Sequence, residues 1–244
     1  MKFSVLPRHK THAGEMLLAG VFEKPAQLTG AAASLDRASG GLIQRLVEHG
    51  HFTGKLNQTF PIYTSPAKQG LPILLVGLGR EDEFTLDRLR SACGSAARAA
   101  QEHNARRIAI PHDFSDHPSC PLPERVRAFV EGIRLGLYRF RQFKTKEGNG
   151  NHHVPIACTI TVRSPRDLSR VRAEVKKAVA ISDAVCMARD LVNMPGNVAT
   201  PSFLAAQARS IARRSGLRCR VLGRQALRRL GMNAFLSVTA GSDE

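Results

Sequence analysis

The sequence contains no tryptophan and only two tyrosines in 244 residues, and aromatic side chains make up 5% of it. A surface that stacks successive unpaired bases on rings is therefore disfavoured. Cysteine is sparse and odd in number: Cys93, Cys120, Cys158, Cys186 and Cys219 are dispersed and never form a CxxC pair. A disulfide framework is excluded, and a reducing compartment is expected. No apolar run approaches the roughly 20 residues needed to span a bilayer. The opening MKFSVLPRHK carries too short an apolar segment for a signal peptide. The expected address is the cytoplasm, without a membrane partner. There is no GxSxG elbow and no Walker A loop, so neither serine-hydrolase nor P-loop chemistry has an anchor.

Positive charge is in excess. The chain carries a formal net charge of +16. Between Arg163 and Arg229 fifteen Lys and Arg face four acids, namely Asp167, Glu174, Asp183 and Asp190. Such a block suits nucleic acid, an anionic surface, or a carboxylate-bearing part of the same protein; a plain solvated face is the alternative. On an expected helix over 202–215, Arg209 and Arg213 share a face opposite Phe203, Leu204 and Ile211. Arg209, Arg213, Arg214, Arg218 and Arg220 are the candidate phosphate- or DNA-contacting residues, and binding through them would be strongly salt-dependent.

A hydrophobic fraction of 43% is enough for a substantial core. Lys2–Leu6 and Met16–Phe22 read as strands, and 29–49 as helix broken near Ser39-Gly40-Gly41, with Gly50 beyond its end. Thr59–Tyr63 is a third strand. Ile73–Gly77 is the strongest strand signal, and Thr85 caps an alanine-rich helix reaching about His103. Arg107–Ile110 is a strand ended by Pro111, and a helix runs from about Glu124 to Arg141. Lys144–His153 reads as a loop, Val154–Val162 as a strand, and Asp167–Val192 as a long helix. Strands alternating with helices of this length argue an α/β domain with a mainly parallel sheet.

Two constellations invite chemistry. Gly77-Leu78-Gly79 follows a buried strand, but position 82, where a third dinucleotide-binding glycine would fall, is Asp82. A tight strand-to-helix turn is the better reading. His112, Asp113, Asp116, His117 and Cys120 form the densest ligand-capable cluster, yet they lack CxxC or HExxH spacing, so a polar loop is preferred over a metal site. His9, His12, His152 and His153 are weaker candidates.

The most informative stretch is Ala188–Gln207, ARDLVNMPGNVATPSFLAAQ. A helix ends at Asn193-Met194-Pro195, because proline disfavours helical backbone before it and donates no hydrogen bond. Thr200-Pro201 starts the next helix as hydroxyl cap and first-position proline. ARDLVNMPGN, the following ATP, and GLRCRVLGRQALRRLGMNAFLSVTAGSDE resemble the start of the catalytic domain of the leucine (cytosol) aminopeptidase family. About sixty residues match closely. Gly40-Gly41, Gly54-Lys55, the LLVGLG of Leu74–Gly79 and the EGIRLGLYRF of Glu131–Phe140 match more loosely. The resemblance implies a macro-like α/β domain over 1–164, a connecting helix over 165–192, and an incomplete α/β metallopeptidase domain over 193–244. It implies a hexameric enzyme that releases N-terminal residues from peptides with two divalent ions, zinc or manganese. The family's metal-ligand and catalytic segments, of the KGxxFDSGG and NTDAEGR types, are absent from these residues. This chain alone is expected to be inactive and to bind no metal pair. Asn193, Pro195, Asn197, Thr200 and Pro201 are expected to be structural. Some relatives bind DNA, and a macro-like fold can hold an ADP-ribose-type ligand, although no sequence feature here asks for one. The alternative from another class is a non-enzymatic basic module that binds DNA or another acidic partner.

Overall fold

The computed structural model describes residues 1–7, 15–25, 27–63, 72–143 and 154–241. The loop expected at Lys144–His153, with His9 and His12, lies outside them. The chain forms two compact units, Met1–Cys186 and Met187–Glu244. Each is described by itself.

The first unit is built on six strands: β1 (Lys2–Leu6), β2 (Glu15–Phe22), β3 (Thr59–Ile62), β4 (Ile73–Gly79), β5 (Arg107–Ile110) and β6 (Ala157–Thr161). Their order across the sheet is β1-β6-β5-β2-β4-β3. All pairings are parallel except β3 with β4. A mixed α/β fold with a mostly parallel sheet is thus what the alternating pattern predicts. Helices α1 (Gly30–Ala38) and α2 (Leu42–Glu48) are separated where the sequence places a break, at Ser39-Gly40-Gly41.

Strand β4, flanked by β2 and β3 and covered on both faces, is buried at all seven positions. Its alternation splits the core. Leu74, Val76 and Leu78 join Leu18 and Ile108 on one face, beneath α3 (Leu86–Glu102), α4 (Leu122–Gly136) and the start of α5 (Leu168–Asn193). Ile73 and Leu75 join Ala19, Val21, Ile43 and Phe52 on the other. A period of two on a doubly covered sheet produces two cores from one continuous apolar run.

Helix α3 begins where Thr85 Oγ1 accepts from the Arg88 backbone N–H at 3.3 Å. Thr85→Ala is expected to lower stability by about 1 kcal/mol, a fall of about 2–4 °C in the melting temperature of the first unit. An unchanged melt would remove the cap from the account. Helices α3 and α4 pack closely enough that a Cβ on Gly136 would lie 2.6 Å from Gly94 Cα. Arg90 Nε donates to Glu131 Oε2 at 2.5 Å across the same seam. At the sheet margins, Pro61 sits in β3, and Arg172 of α5 donates to the Val5 carbonyl of β1 at 3.4 Å.

Three details differ from the sequence pattern. Gly77-Leu78-Gly79 is not a turn but the end of β4. Helix α4 stops at Gly136 rather than Arg141, and the apolar residues beyond it pair outside the helix, with Phe140 and Phe143 rings 5.9 Å apart. Strand β6 is shorter at both ends than Val154–Val162.

The second unit holds the end of α5, then α6 (Pro201–Ser215), α7 (Arg224–Arg229) and α8 (Asn233–Val238). Thr200 caps α6 through its side chain, which accepts from the Phe203 N–H, and Pro201 occupies the first position. Pro195 turns the chain, its carbonyl accepting from Val198 and Ala199 at 2.9 Å. Gly216 closes α6 in left-handed conformation. Among the described residues of this unit no strand forms and only Ala212 is buried. Leu217, Leu230, Phe235 and Val238 are more than half exposed, at 64%, 61%, 56% and 87%. No described helix is long and apolar enough to cross a membrane.

Candidate ligand crevice and basic surface

In open parallel sheets, loops at the carboxyl ends of the strands carry ligands, above all where neighbouring strands send their chains in opposite directions. Here that point lies between β5, whose chain continues toward β6, and β2, whose chain continues toward β3 and β4. The loop after β5 runs from Pro111 to Pro121. It is pinned from several sides. The His112 N–H donates to Thr161 Oγ1 at 2.9 Å, and Ala31 of α1 donates to the Asp113 carbonyl at 3.3 Å. The nearly buried Arg125 reaches back from α4 to Ser115 O at 3.0 Å and Asp116 Oδ1 at 2.5 Å. Phe114 packs edge-on against Phe129, centroids 5.7 Å apart.

Several cavities open along this crest. The first, about 800 Å³, lies between the ends of β2 and β4 and is walled by Phe84, His117, Glu23 and Lys24. Two of its charged side chains, Arg80 and Asp82, close on each other. Arg80 Nη2 meets Asp82 Oδ2 at 2.6 Å, Arg80 also approaches Glu83, and Arg88 pairs with Glu83. The hydrogen bond from Arg80 holds the Asp82 carboxyl below its ordinary range. His117 Nδ1 lies 2.7 Å from Ser119 Oγ, and its ring stands edge-on to Phe84.

The second cavity, about 450 Å³, is mainly apolar, lined by Leu17, Ala31, Leu35 and Val162 with His112, Asp113 and Arg163 among them. The third, about 280 Å³, shares Asp113 and Arg163 with the second. The pairing of β5 with β6 sets these two side by side. Ile110 registers with Ile160, and Asp113 and Arg163 each follow three residues later. In the sequence Arg163 stands out only as part of a charge block. The available signal was its place as the first charge after a buried strand.

The five residues of the loop cluster are not gathered on one point. His112 Nδ1 is 3.9 Å from Asp113 Oδ1, Asp116 is held by Arg125, His117 is bonded to Ser119, and Cys120 is buried. Among the described residues no group of three or more His, Cys, Asp or Glu side chains is placed to hold a metal ion. Burial raises the Cys93 and Cys158 thiols far above their ordinary range, so both behave as small apolar groups.

Arg209, Arg213, Arg214, Arg218 and Arg220 are all exposed, the first three on α6 and the others just beyond it. From Met187 to Gly241 nine arginines face one acid, Asp190. None of the five candidates is ion-paired among the described residues.

Comparison with known proteins bears on both units. Residues 19–147 match the cytosol aminopeptidase family, N-terminal domain, and residues 186–244 match the same family's catalytic domain. A probable cytosol aminopeptidase of Alkaliphilus metalliredigens is 32% identical over 247 residues, covering 100% of this chain and 49% of the relative. One from Burkholderia pseudomallei is 35% identical over 240 residues, covering 96% and 46%. The bottromycin maturation enzyme BotP in complex with Mn superposes with a TM-score of 0.70 at 28% identity, covering 95% of this chain and 43% of that one. A tomato leucine aminopeptidase mutant superposes at 0.82 with 23% identity, covering 100% and 48%, a likeness of fold. The chain thus spans about half the length of the relatives it matches. With one of the family's domain descriptions matching more than half of its residues, and a second matching its last 59, this chain is a member of the cytosol aminopeptidase family.

Proposed function

We propose that the chain is the N-terminal portion of a leucyl aminopeptidase-like exopeptidase, cytoplasmic and hexameric, that releases N-terminal residues from peptides with two divalent ions. In this reading residues 1–164 form a macro-like scaffold, 165–192 connect, and 193–244 open the catalytic domain. The observation that carries it is the second unit. It matches the catalytic domain from residue 186 onward, yet it presents a set of apolar side chains with almost nothing buried. That is how the opening of a larger domain looks before the rest packs on it.

The described residues do not fit a two-cation centre. The described second unit offers one carboxylate, Asp190, and no cluster of ligand side chains. The chain alone is therefore inactive in this reading. Zinc and manganese both suit the family's chemistry, and BotP's manganese favours trying that ion first. The test is to express the coding sequence read past residue 244 alongside the 244-residue chain, and assay leucine-amide hydrolysis with and without Mn²⁺. The longer protein is expected to exceed the chain by more than about 10³-fold, well within the usual range of enzymatic acceleration. A silent longer protein, or turnover by the chain alone, overturns the reading.

A second reading rests on Arg209, Arg213, Arg214, Arg218 and Arg220, exposed and without an ion pair among the described residues: a surface for the duplex DNA backbone. Its affinity should fall steeply with salt. Absence of binding to a DNA duplex at low salt would end it.

A further inference from the structure

Asp113 and Arg163 line the same two cavities but do not pair with each other. Among the described residues Arg163 has no acid partner, and Asp113 has only His112, at 3.9 Å. The Asp113 side chain is 20% exposed, and the His112 ring is its one ionisable neighbour among the described residues. Nearby on this crest Arg80 closes on Asp82 and Arg125 on Asp116. Beside the open pair, Leu17, Leu35 and Val162 present aliphatic surface to a cavity of about 450 Å³. That volume lies within the roughly 300–1,000 Å³ of small-molecule sites, which are mostly apolar with a few converging polar groups. The location, outside the carboxyl ends of parallel strands, is where such folds take their ligands.

One cation, one anion and an aliphatic wall describe a free α-amino acid in negative outline. We propose that this crevice binds a free aliphatic α-amino acid, Arg163 receiving the α-carboxylate, Asp113 the α-ammonium, and Leu17, Leu35 and Val162 the side chain. The charge match stands on the crevice alone. That the ligand is also the enzyme's product, read by its scaffold domain, rests on the aminopeptidase reading.

Isothermal titration of the 244-residue chain with L-leucine, N-acetyl-L-leucine and L-leucinamide tests the proposal without any substitution. L-leucine should bind at one site per chain. Removal of either charge should weaken binding by about tenfold or more, the usual scale of one charge-assisted contact. In Arg163→Gln, L-leucine and L-leucinamide should become equivalent; in Asp113→Asn, L-leucine and N-acetyl-L-leucine should. Three equal affinities, no L-leucine binding in the unsubstituted chain, or uptake of adenosine monophosphate in place of leucine overturns the proposal. The readout needs no peptidase activity. A longer protein that fails to hydrolyse peptides would remove the product role while leaving leucine binding as measured.

Discussion

Replacing Gly77 by alanine is expected to destabilise the first unit by about 3 kcal/mol or more, because overpacking against rigid backbone has no cheap relaxation. The position lies in β4, where the Lys55 carbonyl crosses so closely that a Cβ would stand 1.9 Å from it. The neighbour is main chain, not the tip of a flexible side chain. It is tied in place, since Gly77 donates to Gln58 O at 2.7 Å and accepts from the Asn57 N–H at 3.1 Å. Gly54 cannot give way either. It has φ of +74°, and its own Cβ would come 2.2 Å from the Phe22 carbonyl. Three backbone segments meet with no room for a methyl group. A thermal melt should fall by about 6 °C or more, whereas Gly196→Ala, with nothing within 4 Å and ordinary φ, should change stability by less than about 0.5 kcal/mol. A Gly77→Ala melt equal to that of the unsubstituted chain would show that the crossing is looser than described.

Phe129→Ala is expected to cost about 3–5 kcal/mol, the range for removing a fully packed ring. Phe129 is 2% exposed and stands edge-on to Phe114, an arrangement worth something beyond the buried area. The effect should reach the crevice. Phe114 directly follows Asp113, and its carbonyl approaches Gly20 so closely that a Cβ there would lie 2.3 Å away. Loss of the ring beneath it loosens the segment that holds Asp113. Denaturant unfolding should show the loss, and L-leucine affinity should drop with it. Phe235→Ala, at 56% exposure in the second unit, should change stability by no more than about 0.5 kcal/mol.

Local signals in this sequence match the structure where their causes are local. Thr85 and Thr200 cap helices through their own hydroxyls, and Ser39-Gly40-Gly41 breaks a helix by its own backbone. The β4 run shows in sequence because burial on both faces leaves no polar positions. Gly77 misled for the opposite reason. Glycine after a strand signals a turn, but here it answers to Gly54 and Lys55, more than twenty residues earlier. The apolar spacing of α4 continues to Phe140, while the helix itself ends at Gly136. The crevice could not be read at all. Asp113 and Arg163 are fifty residues apart, and only the parallel register of β5 with β6 joins them. The arginines of α6 were legible as charge, since exposure is what a run of guanidinium groups dictates.

The margins of the sheet carry a consequence for association. A bare outer strand is a template on which another chain can hydrogen-bond and aggregates can nucleate. On one flank β3 contains Pro61, which has no N–H to offer. On the other, Arg172 already occupies the carbonyl of Val5 in β1. Both borders resist extension by a further strand. Contact between copies of this protein is thereby turned toward side chains on helices and loops, where a few substitutions can retune partner choice without disturbing the ladder beneath.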